Sequence, residues 1–419
     1  METKLFTKNF ILLTVATIMG CAGGIAGGFA LSFFVFDETG STLASALVFS
    51  MQLVPYIFVP LLAAPIMDRL PRLSFLVFGD AANGIIYTAV GLWLMFFKFS
   101  YTGYLAVSLV LACLGSIDQL AYTSIYPELL PEGAEQKGFA VSSMLYPVLS
   151  VIMMPLSAVL LDTLGVPLLL MAQGGLSIAA AITESFIKLD ESEKKNREQY
   201  SFKTWIDDIK EGLNYFKKER GMRSVYTYMA ISNGVASGLY PILVAFFRSF
   251  PRMTATMYSF FSAVEFIGRT IGSAVQYRIK VPKKKKFGFI LFVYQIYAVM
   301  DMILLWLPYP LMLINRGICG FLGNNSAIMR EAAVQIYIPS KLRARVNALN
   351  NVLITFGSSV FSLLVGLLGE VLDYRICMTI GGAVTIVAST ILIWGGRKDV
   401  RKIYEFGDDE KDTALASEA

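Results

Sequence analysis

Apolar runs of about twenty residues or more follow one another along almost the whole chain, separated only by short polar breaks. A helical run of that length matches the ~30 Å apolar thickness of a bilayer. Inside lipid every backbone N–H and C=O needs a partner within the protein, so spans are helices or closed barrels. The runs are continuous rather than alternating, which selects helices. Twelve spans are expected, at about 9–35, 43–66, 73–97, 102–126, 138–161, 164–187, 223–248, 254–278, 287–307, 310–333, 343–369 and 376–396. Only 16% of the 419 residues are charged against 55% hydrophobic, far too little charge for a water-soluble surface. The chain therefore reads as an all-α membrane protein.

The first run follows Lys4 and Lys8. It is too long for a secretory signal and lacks a small-residue cleavage site, so it counts as a span. Orientation comes from the cations. With the N-terminus in the cytoplasm, all but six of the 36 Lys and Arg fall on cytoplasmic segments. The exceptions are Lys98, Arg248, Arg252 and Arg375 outside and Arg269 and Arg316 within spans. The opposite orientation exports the Lys283–Lys286 run. The positive-inside rule thus predicts a multi-pass protein of the cell membrane with both termini cytoplasmic, and it explains the net charge of +5 without a nucleic-acid partner.

Residues 188–222 are the longest polar stretch and divide the spans six and six. Within them Phe202, Trp205, Ile206, Ile209, Leu213 and Phe216 recur at helical spacing, with Lys203, Asp207, Lys210, Glu211 and Lys217 between. That pattern predicts an amphipathic helix at the membrane surface, either a latch between the halves or a linker resting on lipid. The expected organisation is an N-terminal six-helix bundle over 1–187, this linker, a C-terminal bundle over 223–397 and a cytoplasmic tail over 398–419. A constant offset of 208 residues superimposes Ala64 on Gly272, Gly115 on Gly323, Pro131 on Pro339, Lys137 on Arg345 and Ala140 on Ala348. Repeated bundles are a transporter device, because a site between them can open to either side.

Several chemistries are excluded or unsupported. There is no histidine, the commonest proton shuttle and metal ligand. Cys21, Cys113, Cys319 and Cys377 lie singly in apolar runs, without the spacing of a zinc site or disulfide framework. Neither a phosphate-binding Gly-rich loop nor a hydrolase motif is present. The expectations are no enzyme activity, no metal and no cofactor, with work drawn from an ion gradient or the substrate's own gradient.

Ala64-Pro65-Ile66-Met67-Asp68-Arg69-Leu70-Pro71-Arg72, between spans two and three, resembles the loop signature of the major facilitator superfamily. The resemblance implies two pseudo-symmetric six-helix bundles in the major facilitator fold. It also gives Asp68, Arg69 and Arg72 the role of a conformational lock, with Asp68 docking near Pro339 to Arg345 at the start of span eleven. The equivalent in the second half, Gly272 to Arg278, is degenerate. Gln52-Leu53-Val54-Pro55, Tyr126-Pro127-Glu128-Leu129-Leu130-Pro131, Lys210-Glu211-Gly212-Leu213 and Ile338 to Val346 narrow the resemblance to the macrolide-efflux and enterobactin-exporter branch. That branch implies export of bulky amphipathic compounds at the expense of a proton gradient. Span four carries Asp118-Gln119 where drug–proton antiporters often have an arginine, and the stretch Pro147 to Val159 of span five, where the antiporter signature is glycine-rich, contains no glycine.

Charges inside spans are costly and tend to face a cavity or a partner. Those singled out are Asp118, Glu265, Arg269, Asp301 and Arg316. Glu265 and Arg269 are one helical turn apart and can neutralise each other, although Glu265 is also a proton-coupling candidate. Asp301 and Arg316 flank the Pro308-Tyr309-Pro310 turn at similar depth, as a structural pair would. Asp118 has no basic residue nearby in its span. The family arrangement puts spans one, four, seven and ten around the central cavity, so Asp118 is the leading candidate for proton coupling or cation recognition. Phe33, Phe34, Tyr122, Tyr146, Asn233, Tyr240, Arg316, Asn324 and Asn325 are candidates for lining that cavity, the alternative for each being ordinary packing.

The leading expectation is a monomeric, proton-coupled exporter of a drug-like or amphipathic molecule by alternating access. The alternatives are uptake or facilitated diffusion of a specific nutrient, and a non-transporting sensor or assembly protein on a transporter fold. An aromatic cavity with one acid points to export. A dense ring of paired polar and charged groups points to a nutrient.

Overall fold

The computed structural model describes residues 6–67, 71–131, 135–189, 202–278, 281–339 and 343–405. Asp68 and Arg69 of the loop signature, and the 340–342 part of its expected docking region, lie outside them. Thirteen α-helices follow in order, with no strand among the described residues. They are α1 (Lys8–Thr39), α2 (Thr42–Met67), α3 (Arg72–Phe96), α4 (Tyr101–Ile125), α5 (Glu135–Ser185), α6 (Phe202–Lys218), α7 (Arg220–Ser249), α8 (Ala255–Arg278), α9 (Lys283–Ile303), α10 (Tyr309–Tyr337), α11 (Arg343–Val371), α12 (Tyr374–Ala388) and α13 (Arg397–Tyr404).

Local chemistry sets the ends. Thr7 caps α1 by accepting from the Phe10 amide, and Gly40 stops it in the left-handed region at φ 63°. Ser100 and Asp373 cap α4 and α12 through the amides of Gly103 and Arg375. α5 is two helices joined at Gly165, whose φ of 76° only glycine adopts cheaply. This break falls where the sequence separates spans five and six.

Among the described residues, nine helical segments are long and apolar enough to cross a membrane, the kinked α5 counting once. α8 and α10 have the length but carry the intramembrane charges. The whole is consistent with twelve crossings. Large apolar side chains such as Phe78, Ile85, Phe96, Val371 and Ile391 are each more than 60% exposed. A surface of this kind would aggregate in water and is at home against lipid. The chain is a multi-pass membrane protein.

The chain divides into two compact units, residues 1–202 with 247–263, and residues 203–246 with 264–419. In the first, Phe10, Leu13, Leu76, Ile125 and Tyr126 form a core where α1, α3 and α4 meet. The segment 247–263 is held to this unit by side chains. Arg248 pairs with Asp37 at 2.5 Å, Thr256 donates to Asp162 at 3.1 Å, and the Tyr258 ring packs on Phe33.

In the second unit Met222, Tyr228, Phe287, Tyr294, Met329 and Tyr404 share a core. α8 and α10 approach closely because glycine faces glycine. A Cβ on Gly268 would sit 2.2 Å from the Gly317 carbonyl oxygen, and one on Gly320 would sit 2.3 Å from that of Glu265. Residues 397–404, largely within the segment read as a cytoplasmic tail, form α13, and its Val400, Ile403 and Tyr404 are fully buried. Residues 202–218, read as amphipathic, are the helix α6.

Candidate functional site

The first unit gathers acids. Asp80 on α3, Asp118 on α4 and Glu184 near the end of α5 interact electrostatically with one another. Asp118 reaches across to α3 at Gly79, where an added Cβ would lie 3.3 Å from its Oδ1. Tyr56 of α2 and Cys21 of α1 border the group. Glu184 is only 3% exposed. Asp118 Oδ1 and Glu184 Oε2 are buried without a hydrogen-bond partner, and no Lys or Arg among the described residues forms an ion pair with any of the three. Three carboxylates thus share a low-dielectric interior without a compensating cation, an arrangement that proteins seldom tolerate without a use for it. Asp118 is therefore not a lone acid. Asp80 and Glu184 are not among the residues singled out from the sequence, although an acid inside an apolar run marks both of them equally well.

The second unit treats its charges in the opposite way. Arg316 of α10 donates from Nε to Glu265 Oε2 and from Nη1 to Asp301 Oδ1, both at 2.8 Å. Arg269 donates from Nη2 to Glu265 Oε1 at 2.6 Å. The result is one chain, Asp301–Arg316–Glu265–Arg269, spanning α9, α10 and α8 and formally neutral. The close glycine-mediated contact of α8 with α10 brings Glu265 and Arg316 within reach. Helix periodicity alone accounts for Glu265 with Arg269; the link from Glu265 to Arg316 is a product of tertiary packing.

A cavity of about 250 Å³ opens beside this chain. Arg269, Arg330, Asn233, Asn324, Ser232 and Tyr297 are among the residues that line it, and no carboxylate does. Asn324 is oriented by donating to the Arg269 carbonyl and to Ser273 Oγ, at 3.1 and 2.6 Å. Asn233 donates to the Met229 carbonyl at 2.9 Å.

The other cavity candidates are placed differently. Asn325 is 4% exposed and donates to the Phe321 carbonyl. Tyr240 is half-buried on α7 away from this cavity. In the first unit Phe33 is 1% exposed and packed on Phe29 and Tyr258, so its ring is core. Phe34 stacks edge-on with Phe99. Tyr122 lies 3.1 Å from Ser142 Oγ, tying α4 to α5, while Tyr146 is half exposed on α5. Of the loop signature, Arg72 pairs with Glu128 at 3.5 Å and is 6% exposed. No group of three metal-ligating side chains with suitable geometry occurs among the described residues.

Residues 12–303 match the Major Facilitator Superfamily. The chain belongs to this superfamily. Solved structures repeat the fold along nearly its whole length. The nucleoside transporter NupG aligns with a TM-score of 0.71 at 13% identity, covering 94% of this chain and 100% of its own. A peptide transporter of the POT family aligns at 0.69 and 11%, covering 96% and 97%. A bacterial homologue of the human lysosomal transporter Spinster aligns at 0.64 and 12%, covering 95% and 97%. At such identities the likeness is one of fold. No curated protein matches the sequence significantly. The major facilitator fold is thereby established, and with it membership of a family of transporters.

Proposed function

We propose that this superfamily member is a proton-coupled secondary transporter of a specific, polar small molecule, working by alternating access, with Asp118 as the coupling residue and Asp80 and Glu184 as its partners. The carboxylate cluster carries the reading. An acid in the membrane interior can take and release a proton, and a nearby basic side chain would hold it permanently as an anion. None pairs with these three among the described residues. Glu265, the second coupling candidate, is committed to two arginines, which favours Asp118.

The polar character of the cavity supports a specific solute over a broad range of drugs. Arginines, amides and hydroxyls line it beside the rings of Tyr228, Tyr294 and Tyr297. Among the fold relatives are a nucleoside transporter and the E. coli fucose:proton symporter FucP, the latter aligning with a TM-score of 0.55 at 14% identity and covering 93% of this chain and 99% of its own. The second reading is proton-driven export of an amphipathic compound, supported by the loop motifs shared with the macrolide-efflux and enterobactin-exporter branch. Both readings place the chain in the cell membrane with cytoplasmic termini, as the distribution of basic residues suggests.

The test is flux in proteoliposomes holding a pH-sensitive dye, with a panel of sugars, nucleosides, small acids, macrolides and cationic amphiphiles. Substrate movement should carry protons in the wild type. Asp118→Asn should keep substrate exchange across equal pH and lose gradient-driven accumulation. Unchanged proton coupling in Asp118→Asn would remove the assignment, and the sign of the gradient response separates uptake from export.

A further inference from the structure

The cavity of the second unit has an unbalanced charge. Asp301, Arg316, Glu265 and Arg269 neutralise one another through bonds of 2.6 to 2.8 Å. Arg330, about four turns beyond Arg316 on α10, lines the same cavity and forms no ion pair among the described residues. Its electrostatic neighbours are the phenols Tyr294 and Tyr404 and, less strongly, the Glu331 carboxylate. Burial pushes the Tyr404 phenol well above its ordinary range, so it stays neutral and cannot serve as a counter-ion. Glu331, next in sequence, is exposed and accepts from Gln335. Arg269 is half exposed beyond its contact with Glu265. Two guanidinium groups therefore meet the cavity, Arg269 already matched by Glu265 and Arg330 beside the exposed Glu331, while amides and hydroxyls surround them and no carboxylate lines the wall.

We infer that this cavity is an anion-recognition subsite, which holds a carboxylate, sulfonate or phosphate of the transported molecule against Arg330 and Arg269 while Asn233 and Asn324 fix its orientation. Guanidinium groups match the planar, multi-oxygen geometry of such anions. The space, about 250 Å³, suits a charged head with a small attached body and excludes a whole macrolide from this subsite. The inference rests on the transporter reading for its physiological sense, whereas binding itself can be tested without flux.

The experiment uses the full chain in nanodiscs of phosphatidylcholine. Fluorescein and rhodamine 123 share a xanthene core and carry opposite charge, so polarisation measures the effect of charge at nearly constant shape. Benzoate, naphthalene-2-sulfonate and inorganic phosphate serve as competitors and in thermal-shift assays. At least one anion of the set should bind, and Arg330→Gln and Arg269→Gln should each weaken it about tenfold, the size of losing one charged hydrogen-bonding partner. Arg330→Lys, which keeps the charge but not the planar fork and guards against misfolding, should bind more tightly than Arg330→Gln and more weakly than wild type. Rhodamine 123 should respond to none of these changes.

Three results would overturn the subsite: no anion bound by folded wild type, equal anion affinity in Arg330→Gln, or tighter binding of rhodamine 123 than of fluorescein. Phosphatidylglycerol in the nanodisc that blocks anion binding, with the block relieved in Arg330→Gln, would reassign the site to a lipid headgroup and overturn the substrate role. Anion binding without flux in proteoliposomes would leave the subsite standing and remove the transport reading. Flux insensitive to both arginines would do the reverse.

Discussion

Arg316 and Glu265 meet at 2.8 Å across the α8–α10 contact, 51 residues apart in sequence. Their side chains are 12% and 16% exposed, and the second hydrogen bond of Arg316, to Asp301, is as short. Removing Arg316 would strand Asp301 in the interior and leave Glu265 with Arg269 alone. Arg316→Gln is expected to destabilise the fold by about 3–5 kcal/mol, the cost of breaking a buried pair on one side only. The double change Arg316→Gln, Asp301→Asn should recover much of the loss, since Glu265 keeps Arg269 as its partner and no uncompensated carboxylate remains. Thermal unfolding in detergent measures both. A single variant as stable as wild type would mean that water reaches these acids and solvates them.

The exposed pair of Arg248 with Asp37 should behave otherwise. Its bond is short, 2.5 Å, but the side chains are 43% and 30% exposed. Arg248→Gln is expected to cost no more than about 1 kcal/mol, and less at high salt, as exposed pairs do. A salt-independent loss several times larger would show that the pair does more than its exposure allows.

The glycine contact between α8 and α10 can be tested directly. Gly320→Val would drive methyl groups into the Glu265 carbonyl. Overpacking of this kind typically costs about 1–3 kcal/mol, and here it would also pull Glu265 away from Arg316. The expected result is a lowered unfolding temperature together with a smaller coupling energy between Glu265 and Arg316 in a double-mutant cycle. An unchanged coupling energy would separate helix approach from ion-pair formation.

The acid cluster predicts graded effects on coupling. Asp118→Asn should abolish the response of net transport to a proton gradient, while Asp80→Asn and Glu184→Gln should weaken it without removing it. The readout is substrate accumulation at a series of imposed pH differences. Protonation of the cluster supplies the coupling, so wild-type accumulation should rise with the gradient and the Asp118→Asn line should be flat. Equal effects of all three substitutions would mean that the proton is shared by the cluster rather than carried by Asp118.

Much of the architecture is legible in the sequence because a bilayer leaves few choices. Apolar length determines a span and satisfied backbone groups require a helix. A break between spans five and six is legible from the two apolar runs, although the chain makes it at Gly165, just inside the expected sixth span. The pairing of Asp301 with Arg316 is legible from equal depth about a turn, and that of Glu265 with Arg269 from helical spacing. Asp80 and Glu184 carry the same signal as Asp118, and Glu184 draws less notice because it lies next to the end of its span. Arg330 closes span ten and by position resembles an ordinary topological charge; only the cavity wall distinguishes it.

Sequence alone determined that this is a membrane-embedded helical protein, because hydropathy acts locally and needs no knowledge of neighbours, and the loop signature of Ala64 to Arg72 carried the resemblance to a transporter family. Tertiary structure decided which charges are spent on one another and which are left over. That outcome depends on helix approach, and the approach is controlled by small residues such as Gly268 and Gly320 whose effect is felt only across an interface. The same packing leaves three acids uncompensated in one unit and Arg330 unmatched in the other, and in a low-dielectric interior unbalanced charge is where chemistry concentrates.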